Sequence, residues 1–291
     1  AGMIFYPSAS AGWNFTKYVE NSNAFSFGKL RVSYGEVGIE PAPYSTETYI
    51  STGGVFSGWG DGYEGALYGN PLTQSATRGN PNLKEERIKE FEVGFDTRFL
   101  DNRLSLSATY YDRTSEDVLL ELPLPSSSGF ANQLVNAATI SNKGVEIDLS
   151  GKIIDNADLQ WNMNINYTRN VSLVEDMAGS SYFILNGFTS NSSGVAEGQP
   201  FAVLRGTAYD RDANGDFILN ANGFPTASPT ESFLGDPNPD WRGGLGTTVQ
   251  YKGFTLSALF ETSQGNDVWN GTRGVLNFFG IHPDTAVESV A

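Results

Sequence analysis

The chain has 291 residues, of which 39% are hydrophobic, 13% aromatic and 18% charged, with 33 Gly and no Cys. This composition excludes intrinsic disorder and disfavours an all-α fold, since turn-forming and aromatic residues favour many short strands joined by loops. The net charge of −15 removes the electrostatic basis for binding nucleic acid, the lack of Cys excludes disulfides and thiolate metal sites, and no apolar run approaches the ~18–20 residues of a membrane-spanning helix.

Alternating apolar and polar residues predict four antiparallel hairpins, with strands at about 12–17 and 29–37, 90–99 and 104–110, 145–153 and 159–167, and 241–251 and 254–260. In the second hairpin, a turn at Asp101-Asn102 sets Phe99 opposite Leu104, Phe95 opposite Ala108 and Val93 opposite Tyr110. A turn at 155–157 closes the third hairpin. The fourth hairpin turns at Lys252-Gly253, which places Tyr251 opposite Phe254 and Val249 opposite Leu256. Each register keeps the apolar residues on one face.

The connections between the hairpins are much longer than the turns within them. Residues 38–86 form a connection of nearly fifty residues, 115–142 one of nearly thirty and 175–240 one of more than sixty. Because the chain reverses at each connection, all short turns are expected at one end of the sheet and all long loops at the other. Loops of this length are unusual in compact soluble domains.

The apolar faces could line the core of a soluble β-sandwich or contact lipid. The composition of the polar faces favours the second possibility, in which the apolar faces contact lipid. The inner wall of a transmembrane barrel borders water, and a row of polar residues would suit it, such as Gln160, Asn162, Asn164, Asn166 and Thr168. Trp241 and Tyr251 lie at opposite ends of one strand, as interfacial aromatic girdles require. A sandwich remains open on periodicity alone, and the asymmetry of the loops favours the barrel.

About eight strands are predicted, and a closed barrel of eight strands would be too narrow to carry such loops comfortably. The chain begins without signal-peptide features and does not finish on a strand that ends in an aromatic residue. Residues 1–291 are therefore expected to form part of one β-barrel domain, whose edge strands continue into further sequence. Unpaired edges would prevent this part from inserting into lipid alone.

Several segments resemble, in their order, the SusC/RagA-like TonB-dependent outer-membrane transporters of Bacteroidetes-type bacteria. The clearest one is the loop-to-strand element at 79–86 followed by 90–95. The others are at 122–129, 135–146, 197–200, 235–241, 251–254 and 265–270. Each segment alone is weakly specific, but six or more in the family's order span nearly the whole chain.

The resemblance implies an all-β fold, an antiparallel transmembrane β-barrel segment of a 22-stranded barrel, with short periplasmic turns and long extracellular loops. It also implies an outer-membrane location, a plug domain, coupling to TonB, a SusD-like surface lipoprotein as partner, and oligosaccharide or peptide as substrate. The plug, the TonB box and the final strands are absent from these 291 residues. The resulting prediction is a non-enzymatic transporter segment without a cofactor; the alternatives are a passive porin-like channel and a soluble β-sandwich adhesin or lectin.

One segment has the oxygen ligands of a calcium loop. Asp210, Asp212, Asn214 and Asp216 occupy positions 1, 3, 5 and 7, and Gly215 occupies position 6, but Ala221 stands where the loop needs a bidentate Glu. The pattern therefore favours a hairpin turn over a metal site.

Other candidate sites have simpler structural interpretations. His282 is the only histidine, and a catalytic role for it is disfavoured. The Gly-rich stretch 53–65 carries aromatic residues that could stack on sugar rings, but it fits a self-packed loop equally well. Glu90 and Glu92 project to one side and are interpreted as solvated wall residues. No catalytic, cofactor-binding or metal-binding residue is predicted.

Overall fold

A computed structural model describes residues 4–19, 24–52, 69, 72–188 and 191–285. Its strands are β1 Ser8–Asn14, β2 Phe25–Ile39, β3 Ile50–Thr52, β4 Leu72–Gln74, β5 Thr77–Arg78, β6 Glu86–Phe99, β7 Leu104–Pro123, β8 Asn132–Asp155, β9 Leu159–Asp176, β10 Phe183–Phe188, β11 Asn191–Val195, β12 Val203–Tyr209, β13 Ala227–Gly235, β14 Trp241–Tyr251 and β15 Phe254–Gln264. Helix α1 spans Gly271–Phe278, and short 3-10 turns lie at Thr16–Tyr18, Ser126–Ser128 and Pro283–Thr285.

Eight antiparallel strands form the main sheet in the order β1-β2-β6-β7-β8-β9-β14-β15, and β5 adds a short parallel pairing to β8. The order in space follows the order in the chain, as in one wall of an up-and-down barrel. The expected number of about eight strands agrees with this antiparallel series, although the described residues contain fifteen strands in all. None of the described helices has the length and hydrophobicity needed to cross a membrane.

The predicted registers of two hairpins are confirmed. Phe95 pairs with Ala108 in the β6–β7 hairpin, and Val249 pairs with Leu256 in the β14–β15 hairpin. Lys252 and Gly253 both have positive φ, at 45° and 89°, as a two-residue turn that matches strand twist requires. These turns and the 156–158 turn lie at one end of the sheet, as expected.

The β8–β9 hairpin differs from its prediction by one residue. A register shift between Lys152 and Ile154 places Ile154, not Ile153, on the face of Trp161, its partner in β9. Asn156 then begins the turn, because its Oδ1 accepts hydrogen bonds from the backbone N–H groups of Asp158 and Leu159 at 3.1 and 2.8 Å. The sequence pattern did not reveal this bulge, since both isoleucines suit an apolar face.

The long connections contain more regular structure than predicted. Most of 115–142 continues β7 and β8 as a hairpin, which leaves only 124–131 as its tip. The 175–240 connection contains a separate four-stranded sheet in the order β10-β11-β12-β13, here named the loop sheet. The 38–86 connection contains the β3–β4 hairpin and β5. The prediction that these stretches are loops throughout is therefore wrong.

The buried apolar core lies at the loop end, not in the middle of the main sheet. Ile140 and Val174 pair across β8 and β9 on the side that also carries Asn142 and Asn170. They cluster with residues from the loop sheet and the extended strands, namely Val118, Leu120, Ala137, Ala138, Met177, Phe183 and Val195. The loop sheet therefore covers the polar side of the main sheet at its loop end.

Candidate transport surface

One face of the main sheet is apolar and open. Along β6, Phe91 and Phe95 are 44% and 38% exposed, and no second sheet covers this face among the described residues. The soluble-sandwich alternative is therefore wrong, because a sandwich would bury these side chains. Trp161 on the same face donates its indole N–H to Thr247 Oγ1 at 2.8 Å. The indole N–H therefore has a hydrogen-bond partner within the protein, as a lipid-facing polar group requires.

The height of this apolar face fits the hydrocarbon layer of an outer membrane. From Phe91 to Phe99 the strand advances roughly 27 Å at ~3.4 Å per residue, or about 20 Å after a barrel strand's tilt of ~35–45°. Such barrels carry an apolar band of about 25 Å flanked by aromatic girdles. Trp241 and Tyr251, 37% and 50% exposed, end the band at opposite ends of β14.

Charged residues mark the edge of this apolar band at the loop end of the main sheet. Beyond Phe91, the same outward face carries three ion pairs: Arg87 with Glu36 at 2.7 Å, Lys89 with Glu116 at 2.6 Å, and Lys143 with Asp112 at 3.1 Å. Charges on a lipid-facing surface are costly in hydrocarbon and tolerated near the interface. These pairs therefore locate the level at which contact with the hydrocarbon ends.

The opposite face of the main sheet is polar, and its side chains are joined across strands. Arg31 Nε donates to Asp96 Oδ2 at 2.9 Å, and Arg31 Nη2 donates to Thr109 Oγ1 at 3.1 Å. Ser107 Oγ donates to the other oxygen of Asp96, also at 2.9 Å. This network connects β2, β6 and β7 on the side expected to contact water.

A second polar network joins β7, β8 and β9. Tyr111 donates its hydroxyl hydrogen to Asn170 Oδ1 at 3.1 Å, and Asn170 Nδ2 donates to Asn142 Oδ1 at 3.0 Å. The tyrosine ring lies over Gly144, where a Cβ atom would overlap it. Gly144 is thus needed for this packing, a role that hydrophobic periodicity does not reveal.

The two glutamates singled out in the sequence have structural partners. Glu90 forms an ion pair with Arg113, and Glu92 accepts a hydrogen bond from Ser33 Oγ at 3.1 Å. They border a concavity of about 300 Å³ on the inner wall, together with Tyr111, Glu146 and Asn170. The arrangement is that of a polar wall whose strands are crosslinked by side-chain contacts.

The calcium-like segment forms a tight turn. Asp212 Oδ1 accepts hydrogen bonds from the backbone N–H groups of Asn214 and Asp216 at 2.9 and 3.0 Å, and Arg211 and Phe217 form an antiparallel bridge. Asp210 precedes this bridge, and Gly215 has a φ of 90°. Within the described residues, no group of three or more His, Cys, Asp or Glu side chains is arranged to hold a metal.

Of the two remaining candidate sites from the sequence, only His282 lies in the part of the chain that the structure describes, and it makes hydrogen bonds with residues near it in the chain. His282 Nδ1 accepts the backbone N–H of Asp284 at 3.2 Å within a terminal turn, and the His282 carbonyl accepts from Thr285 Oγ1 at 2.6 Å. The Gly-rich aromatic stretch 53–65 lies outside the described residues.

The sequence matches known proteins over nearly all its length. Residues 2–284 match the family model described as "TonB dependent receptor-like, beta-barrel". TonB-dependent receptor P3 of Formosa agariphila is 30% identical over 92% of this chain and 29% of its own length. TonB-dependent receptor SusC of Bacteroides thetaiotaomicron is 25% identical over 98% of this chain and 31% of its own length.

The fold also resembles a solved transporter structure. The structure of the RagAB peptide transporter superposes with a TM-score of 0.69 at 23% identity, over 89% of this chain and 29% of that chain. This chain thus spans less than a third of the length of these two curated relatives. The relatives are receptors and transporters, not enzymes.

An open apolar face of membrane height, a crosslinked polar face and a family match over 2–284 agree with one another. The chain therefore belongs to the TonB-dependent receptor-like β-barrel family of the bacterial outer membrane and forms part of a barrel wall.

Proposed function

We propose that the complete protein imports oligosaccharides or peptides across the outer membrane with a SusD-like surface lipoprotein, and that residues 1–291 supply one part of its single barrel domain. The observation that carries this proposal is the two-sided main sheet with a loop sheet over the loop end of its polar side. Such a wall separates lipid from a wet lumen and holds ordered structure at the lumen entrance.

The inner wall suits passage of a hydrated cargo. Its side chains already hydrogen-bond across strands, as Arg31 does with Asp96 and Tyr111 with Asn170. Polar groups that are already paired offer a cargo only weak, exchangeable contacts, so the wall guides the cargo without trapping it. Force from TonB on a plug domain would then open the path, and the lipoprotein would close over the long loops.

The test is uptake by cells that express the full-length protein together with its neighbouring lipoprotein. We expect uptake of labelled oligosaccharide or peptide to be abolished by deletion of either this protein or TonB. Uptake that persists without TonB would contradict the proposal and support the passive-channel alternative. Uptake that is unaffected by removal of the lipoprotein would contradict the proposed partnership alone.

A further inference from the structure

We propose that a cleft between the loop sheet and Trp269 binds one neutral sugar ring of the incoming cargo. This inference rests on the proposed transport function and narrows its substrate to carbohydrate. The cleft has a volume of about 200 Å³ and is lined by Asn186, Asn191, Ser192, Ser193, Leu204 and Trp269.

The floor of the cleft is a row across three paired strands. Asn186 of β10 lies opposite Ser193 of β11, which lies opposite Leu204 of β12. Antiparallel pairing places these three side chains on one face, so carboxamide, hydroxyl and aliphatic groups stand side by side. The geometry of this row is set by backbone hydrogen bonds and does not depend on a ligand.

Trp269 is held over this row by its neighbours along the chain. Asp267 donates its backbone N–H to the Asp236 carbonyl at 2.7 Å, and Asp236 returns a backbone N–H to Asp267 Oδ2 at 2.9 Å. On the other side, Asn270 caps α1 by accepting the Arg273 N–H at 2.9 Å. These hydrogen bonds order the chain on both sides of Trp269 in the free protein, which lowers the entropic cost of binding.

Glycine provides space for the indole. A Cβ atom at Gly271 would lie 2.8 Å from the Trp269 ring, closer than carbon atoms approach in proteins. Trp269 as a whole residue remains 42% exposed despite these contacts. A rigid aromatic plane left open to solvent at the lumen entrance is suited to stacking on a ligand.

The chemistry of the lining selects the ligand class. Carboxamides and hydroxyls both donate and accept hydrogen bonds, as sugar hydroxyls require, while the indole offers an apolar plane for the C–H face of a ring. No lining residue of the cleft carries a charge, which disfavours ionised side chains and acidic sugars. A volume below the ~300–1,000 Å³ of usual small-molecule pockets suits one ring of a longer chain.

The test measures binding to the purified full-length transporter in detergent by titration calorimetry. The probes are neutral hexasaccharides of α-glucan, β-glucan, β-mannan and β-xylan type, with an uncharged hexapeptide as comparison. We expect at least one saccharide to bind, Trp269→Ala to weaken it about tenfold, and Trp269→Phe to retain most of the affinity because it keeps an aromatic plane.

Phe278→Ala is the matched control, because Phe278 lies on the neighbouring helix α1, is 83% exposed and does not line the cleft. It should leave saccharide affinity unchanged. The inference is overturned if none of the saccharides binds, if Trp269→Ala binds them as tightly as the parent, or if only the peptide depends on Trp269. TonB-dependent uptake is scored separately, so the transport proposal can survive the loss of this site.

Discussion

Adjacent residues of β6 lie in opposite environments. Phe95 projects from the apolar face midway between Phe91 and Phe99, while Asp96 projects from the other face and joins the Arg31 network. Two consecutive residues of one strand thus face lipid and water on opposite sides of the same sheet. A charge should therefore have very different effects on the two faces.

Replacing Phe95 by Arg should destabilise the inserted full-length barrel by about 2–4 kcal/mol, because the charge would lie near the middle of the hydrocarbon. Ser150→Arg is the control, since Ser150 is exposed on the polar face of β8, three positions along the strand from Ile147, which is in register with Phe95 through Ala108. Equilibrium unfolding in lipid vesicles measures both. Equal destabilisation by the two substitutions would contradict the assignment of the faces.

Gly144 and Gly151 provide a matched pair within β8. A Cβ at Gly144 would overlap the Tyr111 side chain and the Arg169 carbonyl oxygen, so Gly144→Ala should cost about 1–3 kcal/mol of stability through overpacking. At Gly151 the nearest atom is a Leu104 methyl at 3.3 Å, which can adjust. Unfolding of the full-length variants should show a clear loss for the first and little for the second. The opposite order would exclude the proposed role of Gly144.

The central strands extend well past the membrane band. β7, β8 and β9 contain 20, 24 and 18 residues, whereas a transmembrane strand needs only about 9–11. Their outer parts carry the loop sheet, which packs on Ile140 and Val174 through residues such as Phe183 and Val195. The extended strands therefore act as a platform for the structure at the lumen entrance.

Met177 tests this platform, because it is fully buried between β9 and the loop sheet. Met177→Ala should weaken docking of the loop sheet by about 2–5 kcal/mol while leaving the membrane band intact. Limited proteolysis of whole cells should then cut within 183–209 more readily. Leu173→Ala, at an outward position that is 40% exposed, should not increase cutting; an increase as large as that of Met177→Ala would contradict the assignment.

Sequence periodicity revealed the elements that face two different solvents. Phe95 and Val249 obey strict alternation because lipid and water demand opposite side chains, so even their registers could be predicted. Around Ile140 the alternation disappears, because the inner face there is covered by the loop sheet and Ala137 and Ala138 are both buried. The polar networks and the Trp269 cleft depend on contacts distant in sequence and had no local signal.

At the scale of the whole molecule, the main sheet is open at both edges. Among the described residues, β1 pairs only with β2, and β15 pairs only with β14. Backbone groups along a free edge would be unsatisfied in hydrocarbon, so the complete protein is expected to supply further strands that close the barrel. The isolated chain should accordingly fail to insert into vesicles.

Closure predicts a simple behaviour for the complete protein. A closed barrel keeps its backbone hydrogen bonds within the sheet, so it resists unfolding by detergent until it is heated. The unboiled full-length protein should migrate faster on a gel than the boiled sample. Identical migration of the two samples would argue against a closed barrel.

The apolar patch formed by Ile140 and Val174 implies an order in which the parts of the protein fold. It lies on the polar side of the wall, and part of its cover comes from residues that follow it in the chain, such as Phe183 and Val195. We therefore expect an ordered folding pathway, in which β7, β8 and β9 pair first and the loop sheet then packs onto them. Pulse-labelled protein should therefore become resistant to protease at 115–123 before it does so at 183–203. Until the loop sheet has packed, we expect the exposed apolar patch to be a binding site for a periplasmic chaperone.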